Sequence, residues 1–214
     1  MTTRILLIRH GETDWNASGR WQGMADIPLN STGQMQAVAL ASHLKDRPIT
    51  AIYSSDLQRA AQTARVIAAQ HNLGVVEDAR LRELNLGDFQ GLTLAEITEK
   101  FPDEAVRMKQ EYMRFVAPNG ESRLMLQNRA YAAYLDITAK HPEGEVVIIS
   151  HGGTIRTLLL KLFEGDHAAG HSPLSNTSVT IIETDGAVHK LVGTATTEHL
   201  GDVTPDANAK SDTL

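Results

Sequence analysis

Two four-residue aliphatic runs, Ile5-Leu6-Leu7-Ile8 and Val146-Val147-Ile148-Ile149, constrain this chain more than any other feature in it. Each has the length and composition of a buried strand, and each is followed closely by histidine and glycine: Arg9-His10-Gly11 after the first, Ser150-His151-Gly152-Gly153 after the second. Both are far short of the ~18 residues that a membrane-spanning helix needs. The N-terminus lacks a secretory pattern. The expectation is a soluble, cytoplasmic protein with no membrane partner.

The remaining segments alternate in period. Arg4 to Ile8 reads as the first strand. Ser31 to Asp46 reads as a helix with Ala37, Leu40, Ala41 and Leu44 on one face, and a second strand ends in AIYSSD. A helix from Asp56 to His71 repeats Ala60, Ala64, Ile67 and Ala68, with Asp56 or Ser55 placed to cap it. Val75-Val76 starts a short third strand. Leu126, Ala130, Ala133, Tyr134 and Ile137 mark a further helix before the fourth strand, Val146 to Ser150. Ile155, Leu158, Leu159, Leu162 and Phe163 give a helix directly after the second His-Gly pair. Ser178 to Glu183 and Val188 to Val192 read as a hairpin through Asp185-Gly186.

Alternating strands and helices predict an α/β fold, a three-layer sandwich with a mainly parallel central sheet flanked by helices. With 214 residues and 42% apolar content, residues 1–200 suit one domain, with a helical lid inserted at about 92–122. Residues 201–214 hold Val203 and Leu214 as their only large apolar residues and read as a frayed tail. No internal repeat is present. There is no cysteine, hence no disulfide or thiolate chemistry, and the net charge of -6 comes without any basic stripe, which argues against nucleic acid as partner.

In open α/β sheets, ligands bind beyond the carboxyl ends of the strands. There the first strand delivers Arg9, His10 and Gly11, the second delivers Ser54 and Ser55 with Arg59 one turn on, and the fourth delivers Ser150, His151 and two glycines. Arginine forks and helix N-termini suit phosphate oxygens, and a histidine among cations is biased toward neutral, nucleophilic imidazole. Glycine after the histidine is expected to let the backbone approach the phosphate.

Plainer roles exist for each residue. A histidine at a strand end is usually structural, Arg59 could pair with Asp56 on its own helix, and Asn16 could be a turn residue. On its residues alone, Glu83 ranks no higher than Glu12 or Asp88. A zinc site is disfavoured because there is no His-Glu-x-x-His and because Arg9 and Arg59 would repel a cation.

The blocks LIRHGETDWN, WQGMADIPLNSTGQMQA, YSSDLQRAAQTA, LRELNLGDFQG and IISHGGTIR, in this order, resemble the histidine phosphatase superfamily, also called phosphoglycerate mutase-like. That resemblance implies His10 as a nucleophile forming a phosphohistidine, with Arg9, Arg59 and His151 holding the phosphoryl oxygens. It implies Glu83 as the acid that protonates the leaving alkoxide and then deprotonates water, and Asn16 as a further phosphate contact. Gln22, Gly23 and Gly152 join the phosphate-binding set, Gln22 and Gly23 at the substrate mouth. Neither metal nor cofactor is required, since arginines supply the positive charge.

The substrate class is a small phosphate monoester. The superfamily spans monomers, dimers and tetramers, which leaves a homodimer open. LGDFQGLT resembles the phosphatase branch, and the paired arginines and proline-rich loop of the cofactor-dependent mutases are missing from LTLAEITEKFPDEAVRMKQEYMRFVAPNGES. In that segment Lys100 and Arg114 are the remaining candidate anion contacts. A phosphatase is the first reading, a phosphoglycerate mutase the alternative, and a non-catalytic phospho-ligand module the second alternative. Phe101, Met108, Tyr112, Met113 and Phe115 in the same segment suggest an apolar lid suited to nonpolar or ring-shaped leaving groups and to broad specificity.

Overall fold

The computed structural model describes residues 2–164 and 172–201. The expected tail beyond residue 201 lies outside the described residues. The elements run β1 (Thr3–Arg9), α1 (Asp14–Ala17), α2 (Ser31–Leu44), β2 (Ile49–Ser54), α3 (Gln58–His71), β3 (Val75–Glu77), α4 (Leu94–Lys100), α5 (Pro102–Gln110), α6 (Arg123–Lys140), β4 (Gly144–Ser150), α7 (Gly152–Leu162), β5 (Val179–Thr184) and β6 (His189–Thr196). The sheet order is β3-β2-β4-β1-β5-β6. The first four strands of that order are mutually parallel, β5 runs antiparallel to β1, and β6 antiparallel to β5.

The two aliphatic runs explain the layering. Side chains alternate across a strand, so a run that is apolar at every position must be covered on both faces. Ile5, Leu7, Val146 and Ile148 meet Ala133, Tyr134 and Ile137 of α6 and Ile155, Leu158 and Leu159 of α7. Leu6, Ile8, Val147 and Ile149 turn the other way, onto Leu40, Ala41 and Leu44 of α2 and Ala60, Ala64 and Ile67 of α3. Each large aliphatic so buried contributes about 1.5–3 kcal/mol relative to exposure. The three-layer sandwich with a mainly parallel sheet follows. No helix among the described residues is long and apolar enough to cross a membrane.

Two boundaries differ from expectation for tertiary reasons. The third helix starts at Gln58 rather than Asp56, with Leu57 at its N-cap and no cap from its own side chain. The distant Asp26 carboxylate takes that role, accepting from the Gln58 N–H at 2.7 Å. Asp56 is instead drawn away by Arg82, whose Nε and Nη2 donate to it at 2.7 and 2.5 Å. The final strand extends to Thr196, beyond the expected Val192, because β6 keeps pairing with β5 past two register shifts.

Between β3 and α6 the chain builds α4, α5 and an irregular return. Phe101, Met108 and Phe115 of this segment pack with Trp21, Phe89 and Ile97 in a third, separate apolar cluster.

Candidate active site

Register places the two histidines side by side. Arg9 of β1 pairs with Ser150 of the parallel neighbour β4, so the next residues, His10 and His151, leave the sheet together. Their ring centroids lie 5.1 Å apart. Arg59, one turn into α3 from the end of β2, reaches between them, and its Nε donates to His10 Nε2 and to His151 Nδ1, each at 3.2 Å. Arg59 is 1% exposed. Its Nη1 and Nη2 donate to the carbonyls of Ala25 (2.7 Å) and Gly23 (2.8 Å), which rules out a surface pair with Asp56.

These contacts set the protons. His10 Nδ1 sits 2.6 Å from the Gly11 carbonyl, which can only accept, so Nδ1 carries the hydrogen and Nε2 keeps its lone pair. His151 is the opposite tautomer, because Nδ1 accepts from Arg59. Its Nε2–H is buried with no hydrogen-bond partner among the described residues, an expensive donor to leave unmade unless an anion comes to it. Burial, then the guanidiniums of Arg59 and Arg9, hold His10 well below the ordinary imidazole value. Burial and Arg59 do the same for His151.

A pH dependence of stability follows. Below about pH 6.5 the unfolded chain protonates both rings and the folded chain does not, so the stability held above that pH is lost as pH falls. The expected slope is up to ~1.4 kcal/mol per pH unit for each ring. Urea titrations at pH 7.5, 6 and 5 read it directly. A flat profile would mean that the rings accept protons in place.

Asn16 caps α1 reciprocally with Thr13, its Oδ1 accepting from the Thr13 N–H at 3.2 Å. Its amide therefore offers its donor end. Asn176, which drew no attention in the sequence, donates to the His10 carbonyl at 3.0 Å and to Asn16 Oδ1 at 3.4 Å, tying the two together. Arg9 Nη1 donates to the Leu174 carbonyl at 2.6 Å.

Glu83 reaches the same cleft, held by a frame drawn from four elements. Its carboxylate accepts from the N–H groups of Leu84 (2.8 Å) and Gly153 (2.9 Å) and from the Thr154 hydroxyl (3.3 Å). Behind it, Arg129 of α6 donates to the carbonyls of Arg80, Arg82 and Glu83 and pairs with Glu121 at 2.6 Å. The Arg82–Asp56 pair ties this turn to the end of β2, and the Ser150 hydroxyl donates to the Leu81 carbonyl at 2.8 Å.

The cleft is lined by His10, Gln22, Gly23, Arg59, Glu83 and Gly153. Gln22 Oε1 is buried without a partner. Gly23 has φ +54°, where a side chain would be strained, and an added Cβ would sit 2.6 Å from Gln90 Oε1.

Gly152 lies against Arg9, since an added Cβ would meet the guanidinium at 3.6 Å, and its neighbour Gly153 lines the cleft. Gly11 also meets a packing demand, since an added Cβ would lie 2.6 Å from the Gly33 carbonyl where loop and α2 cross. Lys100 and Arg114 are exposed and line nothing here, whereas Arg123 and Arg156, which the sequence reading passed over, both do. Of the aromatics in the inserted segment only Tyr112 faces the cleft, beside Trp21, Leu84, Leu86 and Leu126.

Gly153 offers a clean perturbation. An alanine there puts Cβ 2.6 Å from Glu83 Oε1, forcing the carboxylate to move. Since Ala suits a helix better than Gly by up to ~1 kcal/mol, Gly153→Ala is expected to melt at or above wild type. Turnover should drop by roughly 10- to 100-fold, the cost of misplacing a catalytic group by about 1 Å. A parallel melt and rate assay checks both halves.

Residues 5–197 match the histidine phosphatase superfamily (branch 1). The chain belongs to this superfamily. A metal-independent phosphoserine phosphatase from Arabidopsis thaliana is 39% identical over 84% of this chain and 76% of its own. Phosphoserine phosphatase 1 of Hydrogenobacter thermophilus is 31% identical over 96% of this chain and 98% of its own. Among solved structures, a phosphoserine phosphatase from Entamoeba histolytica in complex with 3-phosphoglyceric acid superposes with a TM-score of 0.81 at 31% identity, covering 92% of this chain and 99% of that one.

Proposed function

We propose that this histidine phosphatase is a metal-independent phosphomonoester hydrolase, acting on small phosphorylated metabolites through a phosphohistidine at His10. The observation that carries the reading is the pair of opposite tautomers: a nucleophilic Nε2 on His10 beside a partnerless Nε2–H on His151, with Arg59 between them.

An incoming phosphoryl group takes over the Arg59 donors and the His151 N–H, and so frees the His10 lone pair. The His10 Nε2–P bond forms as the P–O bond to the leaving group breaks, and Glu83 gives its proton to the departing alkoxide. Glu83, now a carboxylate, takes a proton from the water that attacks phosphorus. The N–P bond breaks, and inorganic phosphate leaves a neutral His10 behind. Arg9, Arg59, His151 and Asn16 supply the preorganised donors for charge on the equatorial oxygens.

The names of the relatives support hydrolysis of small phosphate esters. The test is steady-state release of inorganic phosphate from p-nitrophenyl phosphate and 3-phosphoglycerate in EDTA. Turnover in EDTA on either ester is expected. A strict need for added divalent ion, or interconversion of phosphoglycerates without net phosphate release, would overturn the reading.

A further inference from the structure

Arg123 is out of place by the ordinary rules of helix electrostatics. It is the first residue of α6, after the Ser122 cap, where the positive end of the helix disfavours a cation. It is also 9% exposed, and burial presses its guanidinium below the usual arginine value. Buried charges are normally paired. Arg82 and Arg129 each meet a carboxylate, at 2.5 and 2.6 Å. Arg123 has no carboxylate within ion-pair distance among the described residues. Its contacts are a hydrogen bond to the Tyr112 carbonyl at 3.1 Å and the face of the Tyr112 ring, 4.3 Å from the guanidinium carbon. Neither neutralises it.

Its position in the cleft gives the misplacement a use. Arg123 and Tyr112 line the cavity together with Arg156 of α7, so two guanidiniums besides that of Arg59 line it. Glu83 and Arg156 are among the groups whose charges act on Arg123, whereas those of Arg59 and Arg9 act on His10. Arg156 stands one turn along α7 from Gly153, whose N–H holds Glu83, so the second pair of arginines sits toward Glu83, where the leaving group departs, and Arg59 sits against His10, where the phosphoryl group docks.

We propose that Arg123, with Arg156 beside it, forms a subsite for a second anionic group carried by the leaving-group half of the substrate. The protein then prefers phosphate esters of hydroxy acids, or bisphosphates, over phosphate esters of neutral alcohols. This rests on the phosphoryl group docking at His10. The planar fork of Arg123 suits a carboxylate or a phosphate in two-point contact, with Tyr112 fixing the plane of the guanidinium.

The experiment compares kcat/KM for 3-phosphoglycerate and glycerol 3-phosphate, which differ by a carboxylate in place of CH2OH, in wild type, Arg123→Gln and Arg123→Lys. A second pair, fructose 1,6-bisphosphate and fructose 6-phosphate, separates a phosphate from a carboxylate as the second anion. Wild type is expected to favour the doubly anionic member of at least one pair. In Arg123→Gln that ratio should collapse by roughly 10- to 100-fold, the worth of a charge-assisted hydrogen bond. Arg123→Lys should keep an intermediate ratio, because it retains the charge and loses the fork.

A wild type indifferent to the second anion in both pairs, or a ratio untouched by Arg123→Gln, overturns the subsite. Turnover of p-nitrophenyl phosphate by wild type separates the two levels of the argument, since its absence removes the hydrolase reading itself. The subsite is then judged by calorimetric binding of 3-phosphoglycerate against glycerol 3-phosphate to wild type and Arg123→Gln, with the same two outcomes.

Discussion

His10→Ala is expected to lower phosphate release by roughly 10⁴- to 10⁶-fold, the scale at which loss of a nucleophile is felt when binding and charge stabilisation survive. They should survive here. The imidazole removed is neutral and bonded to the Gly11 carbonyl of its own loop and to Arg59 Nε. Arg59 keeps its anchors on Ala25 and Gly23, and the loop keeps the Gly11 N–H to the Thr63 hydroxyl and the Glu12 N–H to Gln36. A folded variant that still binds inorganic phosphate but takes no label from a ³²P-phosphate ester is the expected pattern. Retained turnover would remove the phosphohistidine and leave direct attack by water.

The parts of this site that were legible in the sequence share one property: they sit where a regular element ends. His10 and His151 follow aliphatic runs and precede glycines, so their place at the sheet edge could be read from period and length alone. Arg59 was legible as a position but not as an environment. Its nearest carboxylate in sequence, Asp56, is taken by Arg82 from a segment over 20 residues on, and no local pattern announces that exchange. Glu83 was legible only through the superfamily resemblance, since its surroundings come from Gly153, Thr154 and Arg129, all distant in the chain.

Arg123 and Arg156 escaped for a related reason. Arg123 opens α6 and Arg156 stands in the second turn of α7, helices whose visible signal is the apolar stripe, and an arginine on such a helix ordinarily snorkels to water. What marks Arg123 is a conflict, a buried cation at the positive end of a helix, and a conflict of that kind shows only when burial is known. The aromatics of the inserted segment erred in the other direction. Phe101 and Phe115 looked available to a ligand, but a two-helix excursion has to bury something of its own, and these rings are what it buries against Phe89.

Glu83→Gln should divide the two half-reactions. With an alkyl phosphate, the first step needs a proton for a poor leaving group, so turnover is expected to fall by about 10²- to 10⁴-fold, the usual contribution of general acid–base catalysis. p-Nitrophenolate leaves without that help. With this ester the variant should release p-nitrophenolate in a rapid burst of about one equivalent per site and then stall, because the phosphohistidine forms but no base activates water to hydrolyse it. The Leu84 and Gly153 N–H groups bind different oxygens of Glu83, so the Gln keeps one of these two bonds through its single carbonyl oxygen, while Arg129 still holds the backbone of the turn. Burst kinetics by stopped flow, with acid-labile phosphate on the protein measured at the plateau, reads the outcome. A slow phase equal to wild type would assign water activation to another group. Loss of the burst itself would mean that Glu83 is needed even for a leaving group that requires no proton.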